Sequence, residues 1–387
     1  MTNTFYQLFD RMPQYRFAAP GRTELSGNHT DHQHGCVLAA AVDLKTTACV
    51  AENGLRVIRV QSEGYAPVEV DLHDLSVHEE EKNTTAALIR GVAAAFAQRG
   101  AQLRGFDAYC TSMVLPGSGL SSSAAFEVLF GTIFNHLFLD GRLSAIEIAQ
   151  IGQYAENVYF GKPSGLMDQM VCSVGNVVGI DFADPAKPQV ERLDFDFAYC
   201  GHTLCVIDSG ADHANLTDAY ASIPKDMGAV AAFFGKQVLR DVDEEAFYAQ
   251  LPAIRQQCGD RAVLRAMHFF EENQRVQMQI RALENDNFDA FLSYVRQSGL
   301  SSWRLLQNVV PPEDPDHQAL ATALALAEHL LNGCGACRVH GGGFAGTLLA
   351  FVPNDMLESF RENMERMLGA GSVHVLSICP QGGIRIE

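Results

Sequence analysis

Residues 115–125 read Leu-Pro-Gly-Ser-Gly-Leu-Ser-Ser-Ser-Ala-Ala, and the rest of the chain is best interpreted outward from them. Residues 106–114 have the pattern of a strand, and the apolar run 124–138 is long enough for a buried helix. The stretch therefore predicts a strand, a glycine- and serine-rich loop and a helix. Such a loop lets the backbone approach a ligand, and the free N–H groups at a helix start favour phosphate.

Taken alone, this loop equally fits a plain connection between a strand and a helix. It is not a Walker A loop, because no Gly-Lys-Ser/Thr follows the glycines. The serine hydroxyls add donors, and one of them could ligate a metal ion. Features elsewhere in the chain must decide between a phosphate site and a simple connection.

Composition bounds the class of protein. The chain has 387 residues, 47% hydrophobic and 19% charged, which predicts a globular protein of two domains. The net charge of −18 argues against a nucleic-acid partner, which needs a basic face. We find no signal peptide and no membrane-spanning run, so we expect a cytoplasmic protein without a membrane partner. The ten cysteines are scattered, and the pair Cys334 and Cys337 is interpreted as buried thiols and not as a zinc or redox site.

Residues 19–35 are polar and rich in turn formers, although an apolar strand follows at 37–42. We expect a loop here that carries binding groups. Its Arg22 fits either a ligand contact or a surface salt bridge. Three histidines, at 29, 32 and 34, raise a metal site, but no further His or Cys cluster completes a coordination shell.

Two carboxylates occupy informative helix positions. Ser144-x-x-Glu147 is a capping box that opens a helix predicted to run to about residue 159. Glu156 then lies near the carboxyl end, where the helix dipole disfavours it unless a cation compensates. Asp168 falls in the first turn of a second helix-like segment at 161–170, where the ionised form is favoured. It fits a catalytic base or a plain helix-start carboxylate.

The pattern of apolar residues changes after about residue 211 and becomes mainly helical. Helical periodicity is found at residues 229–239, 261–283, 288–296 and 317–331. Three consecutive glycines, 341–343, enter an apolar strand at 347–352, which indicates close approach of the backbone to a ligand or another segment.

Taken in order, these motifs resemble the GHMP family of small-molecule kinases, and within it the galactokinase branch. Residues 19–35 resemble the galactokinase signature Gly-Arg-…-Gly-Glu-His-Thr-Asp, residues 115–125 the nucleotide loop, and residues 341–346 the third, glycine-rich block. Glu156-Asn157 and the segment Gly-Leu-Met-Asp-Gln around Asp168 match in place, as does Tyr220. The resemblance runs over nearly the whole chain.

The resemblance implies an α+β, two-lobed GHMP kinase fold. The lobe at 1–210 would be like ribosomal protein S5 domain 2, and the lobe at 211–387 would be ferredoxin-like. It implies phosphorylation of a small-molecule sugar at the anomeric hydroxyl, with ATP and Mg²⁺ as cofactors. Asp168 and Arg22 match the catalytic residues of the family, and Ser123 and Glu156 match its Mg²⁺ ligands. The nucleotide contacts would be Ser62, Gly117, Ser118, Gly119, Leu120, Ser121, Ser122 and Ser123, and the sugar contacts Asn28, His29, Asp31, Gly165 and Tyr220.

The chain also departs from the family pattern. Asn28 stands where the signature has a glutamate that helps to hold an outer hydroxyl of the sugar. His32-Gln33 replaces the usual Tyr-Asn and is closer to a relative that phosphorylates galacturonate, whose carboxylate a neutral amide at 28 would not repel. Pro116, His340 and Ala345 are smaller departures.

We predict a galactokinase-type phosphotransferase acting on galactose. The alternatives are a kinase for a related sugar such as galacturonate, and a galactokinase-like sugar sensor without catalysis. The sensor is disfavoured because Ser123-Ala124 and Asp168 are intact. The oligomeric state stays open.

Overall fold

The computed structural model describes residues 1–114, 119–211 and 216–386. Gly117 and Ser118 of the predicted nucleotide loop lie outside these ranges. Within them the chain forms two sheets surrounded by helices. The first sheet contains β1 (Tyr15–Ser26), β2 (Cys36–Glu52), β3 (Val57–Ser62), β4 (Val68–Asp71), β5 (Phe106–Ser112), β6 (Val177–Asp181), β7 (Gln189–Leu193) and β12 (Ile384–Arg385). The second contains β8 (His202–Asp208), β9 (Ala336–Val339), β10 (Thr347–Pro353) and β11 (Val373–Leu376).

The described helices pack around the two sheets. They are α1 (Thr2–Phe9), α2 (Thr85–Gln98), α3 (Ser122–Leu139), α4 (Ala145–Tyr154), α5 (Met167–Val174), α6 (Thr217–Phe233), α7 (Glu244–Ala249), α8 (Leu251–Cys258), α9 (Asp260–Glu284), α10 (Phe288–Ser301), α11 (Ala319–Leu331) and α12 (Leu357–Leu368). Helices α3 and α5 pack against β1 and β2, and α11 and α12 pack against β10.

The first sheet is organised around β2. Its strand order is β12-β1-β2-β5-β3-β4, with β6 and β7 continuing from β2. The first half of β2 pairs with β6 and the second half with β5. The change occurs at a bulge, where Pro20 pairs with Lys45 and Gly21 with Val42. The apolar pattern predicts a strand at 37–42, and the structure extends it to Glu52 as one strand with a bulge.

The expected loop at 19–35 is wrong in its first half, because Ala19 to Ser26 belong to β1 and are buried. The bulge accommodates Pro20 and Gly21, which the local pattern had suggested were turn residues. Arg22 therefore lies on a buried strand inside the protein and not on a surface loop.

The helix expected at 229–239 is also corrected. Helix α6 begins at Thr217 and ends at Phe233, ahead of Gly235 with φ 69°. Pro224 lies inside the helix. Because proline usually ends a helix, the first half of α6 is not predicted from the periodicity of the sequence.

The sheets do not separate cleanly at residue 210. Strand β8 precedes that position but belongs to the second sheet, whereas β12 follows it and pairs with β1. Each half of the chain therefore contributes one strand to the sheet that is formed mainly by the other half.

Helix α3 has the length and apolar composition of a membrane span, but 72% of it is buried inside the protein. It contacts α2, α4, α5 and β1, so its all-round apolar surface is explained by burial in the core.

Candidate active site

A buried ion pair occupies the centre of the site. Arg22 on β1 donates from Nε to Asp168 Oδ1 at 2.7 Å and from Nη2 to Oδ2 at 2.7 Å. Asp168 is in the first turn of α5, where the helix dipole favours negative charge. Burial alone would raise the pKa of Asp168, but Arg22 and a hydrogen bond from the Ser121 hydroxyl outweigh it, so this pKa is lowered. Asp168 is therefore ionised at neutral pH.

The end of the predicted nucleotide loop reaches this ion pair. Arg22 donates from Nη1 to the Gly119 carbonyl, and its backbone N–H donates to the Leu120 carbonyl at 3.0 Å. Ser121 has φ 56°, a left-handed conformation that is uncommon outside glycine, and it directs its hydroxyl at Asp168. Helix α3 begins at the next residue, so its free N–H groups lie beside the ion pair.

A cavity of about 430 Å³ opens on one side of this loop. Its lining is largely apolar or hydroxyl-bearing, which suits a flat heteroaromatic base with a polar tail. It is lined by Thr46, Ser62, Glu63, Tyr65, Thr85, Leu88, Cys110, Thr111, Ser112, Val114, Ser122, Ser123, Phe126 and Phe160. We call it the base cavity. Ser62, Ser122 and Ser123 are thus brought together here.

Glu156 lies in a π-helical turn, residues Ala155–Phe160, that continues α4. Sequence reasoning gives a regular helix to about 159, and π turns of this kind are frequent at functional sites. The Glu156 Oε2 atom accepts hydrogen bonds from the Ser164 hydroxyl at 2.6 Å and from Gln169 Nε2 at 2.8 Å. Lys162 Nζ lies 3.3 Å from Oε1, so a cation does stand beside this carboxylate.

A second buried carboxylate shares the same amide. Gln169 Nε2 also donates to Glu127 Oε2 at 2.9 Å, while Glu127 Oε1 is buried without a partner in the described residues. Burial, and then the charge of Glu156, raise the pKa of Glu127 well above its usual range. Ser123 lies one helical turn before Glu127 on α3. Mg²⁺ prefers hydroxyl and carboxylate oxygens as ligands. The group formed by Ser123, Glu127 and Glu156 therefore offers the kind of ligands that this ion takes.

A smaller cavity of about 160 Å³ is lined by Arg22 of the ion pair and shares no described lining residue with the base cavity. It is polar, and it is built from both ends of the chain. Its lining residues are Arg22, Glu24, Gly27, Asn28, His29, Asp31, Met167, Gly341 and Gly342. We call it the polar cavity. The predicted sugar contacts Asn28, His29 and Asp31 meet here.

Burial shifts the pKa values of two of these groups in opposite directions. It lowers the pKa of His29, whose Nε2 lies 3.0 Å from the Gly342 carbonyl, so the neutral ring donates from Nε2. Burial raises the pKa of Asp31 to about 6. Gly165 lies against this carboxylate, because a Cβ at 165 would come within 2.5 Å of Asp31 Oδ2. A side chain at 165 would therefore displace the Asp31 carboxylate from this position.

Tyr220 supports the wall of the polar cavity. Its hydroxyl donates to the Gly343 carbonyl at 2.9 Å, and its ring lies against Gly342, where a Cβ would be 2.5 Å away. A Cβ at Gly343 would collide with the Asn308 carbonyl oxygen at 2.1 Å. The close backbone approach predicted for the three glycines is therefore confirmed at Gly342 and Gly343, whereas a Cβ at Gly341 would meet nothing within 4 Å.

Asn28 lines the polar cavity but is only 1% exposed. Its Nδ2 donates to the Gly341 carbonyl at 2.6 Å and to Glu24 Oε1 at 3.1 Å, and its Oδ1 accepts from Asn308 Nδ2 at 2.7 Å. Both ends of the amide are thus committed to the protein.

Several residues of the site are assigned no role from the sequence. Glu24 and Arg338 form a buried ion pair at 2.9 Å between β1 and β9. His340 lies under Gly119, 3.0 Å from the Thr23 hydroxyl and 2.8 Å from that of Thr347, and burial lowers its pKa to about 3. Arg338 could have been found from the sequence, because it is a charged residue inside the otherwise apolar strand 336–339. A charged side chain in such a strand is buried only together with a partner.

The histidine metal site is not supported. Within residues 1–114, 119–211 and 216–386, no group of three or more His, Cys, Asp or Glu side chains could hold a metal ion. Both Cys334 and Cys337 are free thiols, but the expectation that both are buried is wrong for Cys334, which is exposed, and holds for Cys337.

Comparison with known proteins agrees with this architecture. Residues 87–176 match the family described as GHMP kinases N terminal domain, and residues 3–52 match the galactokinase galactose-binding signature. The galactokinase of Streptomyces coelicolor is 31% identical, covering 98% of this chain and 96% of its own.

Solved structures share the fold. Lactococcus lactis galactokinase complexed with galactose superposes with a TM-score of 0.82 at 23% identity, covering 99% of this chain and 98% of its own. Methanococcus jannaschii mevalonate kinase gives a TM-score of 0.67 at 13% identity over 95% and 98% of the two chains.

The fold, the glycine–serine loop and the Arg22–Asp168 pair together define a GHMP-type small-molecule kinase that uses ATP. Full-length identity of 31% narrows the class further. The chain belongs to the galactokinase family of sugar kinases.

Proposed function

We propose that this protein transfers the γ-phosphoryl group of ATP to the anomeric hydroxyl of galactose, giving galactose 1-phosphate and ADP. The observation that carries the proposal is the position of Asp168. Its carboxylate is held by Arg22, which lines the polar cavity, and by Ser121, which directly precedes the serines of the base cavity. A sugar on one side and a triphosphate on the other would meet at this carboxylate.

In the reaction, the anomeric oxygen attacks the γ-phosphorus, the bond to the β–γ bridging oxygen breaks, and ADP leaves. The hydroxyl proton goes to Asp168. Because the pKa of Asp168 is lowered, this carboxylate is a weak base that orients the hydroxyl and takes the proton late. Arg22 keeps Asp168 ionised and presents a planar guanidinium to the charge on the transferring group.

We propose that Ser123 and Glu156 hold Mg²⁺, which when bound neutralises charge on the phosphates. Ser62, Gly119, Leu120, Ser121 and Ser122, with Gly117 and Ser118 outside the described residues, are proposed nucleotide contacts. His29, Asp31, Gly165 and Tyr220 are proposed to form the sugar site. The shape of this site comes partly from Asn28, whose amide is occupied by protein groups.

The charge of the polar cavity favours a neutral sugar over galacturonate. Glu24 and Asp31 line it, whereas Arg22 is paired with Asp168 and Arg338 with Glu24. A uronate carboxylate would meet these acidic groups without an unpaired cation among the described lining residues. The amide at 28 removes one negative charge, but Glu24 supplies another.

A sugar panel tests the proposal. ATP-dependent phosphorylation is measured with galactose, galacturonate, N-acetylgalactosamine and arabinose, with Asp168→Asn as the inactive control. Galactose should be turned over fastest. Turnover of galacturonate alone, or sugar binding without ATP consumption, would replace galactokinase by one of the two alternatives.

We also propose a cytoplasmic enzyme in which residues 1–210 and 211–387, apart from strands β8 and β12 that cross this boundary, act as two lobes around the polar cavity. Limited proteolysis with and without galactose tests the division: cleavage near 210 should be slowed by the sugar.

A further inference from the structure

Glu24 is a charged residue that the roles above leave unexplained. It lies on β1 two residues after Arg22, and no register shift falls between them. Alternate residues of a strand share a face and are about 6.6–6.8 Å apart. Both line the polar cavity. The backbone positions of Arg22, which holds Asp168, and Glu24 are therefore separated by a distance comparable to the width of a pyranose ring.

One carboxylate oxygen of Glu24 is fully used by the protein. Oε1 accepts from Arg338 Nη2 at 2.9 Å and from Asn28 Nδ2 at 3.1 Å. The Arg338 side chain is completely buried, so the pair is held in one geometry. Two fixed donors on a single oxygen determine where the second oxygen points.

The second oxygen, Oε2, has no donor within residues 1–114, 119–211 and 216–386. It is nevertheless not sealed from solvent, unlike the partnerless buried oxygen Oε1 of Glu127. Because Glu24 is 5% exposed and lines the polar cavity, this accessible surface faces the cavity. An acceptor oriented by an ion pair and open to a ligand pocket is arranged to take a hydrogen bond from a ligand.

We propose that Glu24 is a specificity-determining residue whose Oε2 accepts a hydrogen bond from a sugar hydroxyl on the side of the ring away from the anomeric carbon. This proposal rests on the proposed sugar-kinase function. Asn28 and Arg338 are positioning residues that act through Glu24.

The proposal also accounts for Asn28. The family signature carries a carboxylate at position 28, and this chain carries an amide there, 3.1 Å from Glu24 Oε1. Two carboxylates at that distance would repel each other. With Glu24 present, residue 28 must donate, and Asn28 does so. The acidic group that faces the sugar has in effect been moved from 28 to 24.

A cross between enzyme variants and deoxy sugars tests this. Galactose and its analogues lacking the 2-, 3-, 4- or 6-hydroxyl are assayed with wild type and with Glu24→Gln. With wild type, the analogue lacking the contacted hydroxyl should lose about 10- to 100-fold in kcat/KM, the value of one hydrogen bond to a charged acceptor. Glu24→Gln should lower kcat/KM for galactose through KM and leave that analogue nearly unaffected.

Equal losses with every sugar would show a structural role for Glu24 and overturn the proposal, as would no loss at all. Glu362→Gln, an exposed carboxylate on α12, is the matched control. If Glu24→Gln unfolds because Arg338 loses its partner, Glu24→Asp keeps that charge, and its shorter side chain should give the same selective loss.

Failure of the proposed function gives a different result. Isothermal titration of each sugar in the absence of ATP reads the Glu24 contact without turnover. A sugar that binds but is not phosphorylated, with binding that depends selectively on Glu24, would overturn the kinase assignment and keep the contact. Unselective dependence would overturn the contact alone, and absence of binding by any sugar would overturn both.

Discussion

The base cavity and the polar cavity are built by different means. The lining of the base cavity comes from residues 46–160, on neighbouring strands and helices, and is largely apolar with hydroxyl groups. The polar cavity brings residues 22–31 and Met167 together with Gly341 and Gly342, which lie more than 300 positions after the residues of β1. Most of its side chains are charged or hydrogen-bonded to one another.

This difference teaches where selectivity resides. Apolar contacts and backbone donors tolerate substitution because each contributes a little. A buried network in which every polar group is hydrogen-bonded tolerates few substitutions, because removing one member leaves another buried without a partner. Substitutions on the two sides should therefore separate effects on ATP from effects on sugar, and the predictions below test that separation.

The largest effect is expected at the boundary between the cavities. Asp168→Asn removes the charged acceptor for the hydroxyl proton, so kcat should fall by about 10²–10⁴-fold. Affinity for ATP, measured by fluorescence titration with a nucleotide analogue, should be retained. An unchanged rate would remove Asp168 from the mechanism.

Glu156→Gln should act on the nucleotide side alone. Loss of a carboxylate donor should weaken binding of Mg·ATP by about 10- to 100-fold. Binding of Mn²⁺ read by electron paramagnetic resonance gives a readout that is independent of turnover, and galactose affinity should not change. Glu191→Gln, on the exposed edge strand β7, is the control. Equal weakening of sugar binding would break the distinction between the two cavities.

The pH dependence should reside on the sugar side. Burial, and further the charges of Glu24 and Asp168, raise the pKa of Asp31 to about 6. Below this value Asp31 takes up a proton and loses its acceptor charge, so kcat/KM for galactose should fall as pH decreases, by about tenfold at one unit below that pKa. Asp31→Asn should be less active and should lack this acid limb. The KM for ATP should stay flat over the same range.

The smallest effect is expected at the edge of the base cavity. Tyr65 is 64% exposed and lines this cavity. Tyr65→Ala should raise the KM for ATP by about 2- to 10-fold through loss of ring contact, with little change in thermal unfolding. A comparable rise in the KM for galactose would contradict the separation.

Much of this architecture follows from local sequence. The strand and helix that flank the nucleotide loop appear as β5 and α3, because apolar run length and glycine–serine punctuation act over a few residues. Phe269 and Phe270, which are core candidates in the helical stretch 261–283, are both buried. Arg22 and Asp168 were identified by their motifs, and their direct contact is seen only in the folded chain.

The sequence by itself determined the family, the order of the elements and the groups available for phosphoryl transfer. The tertiary structure alone decided that residues 19–26 form a buried strand, that Glu156 lies in a π turn, and that Asn28 faces protein on both sides of its amide. It alone paired Glu24 with Arg338 across 314 positions. The reason is physical: whether a polar group is paired, buried or open to a ligand depends on neighbours brought together by folding, and local periodicity carries no information about them.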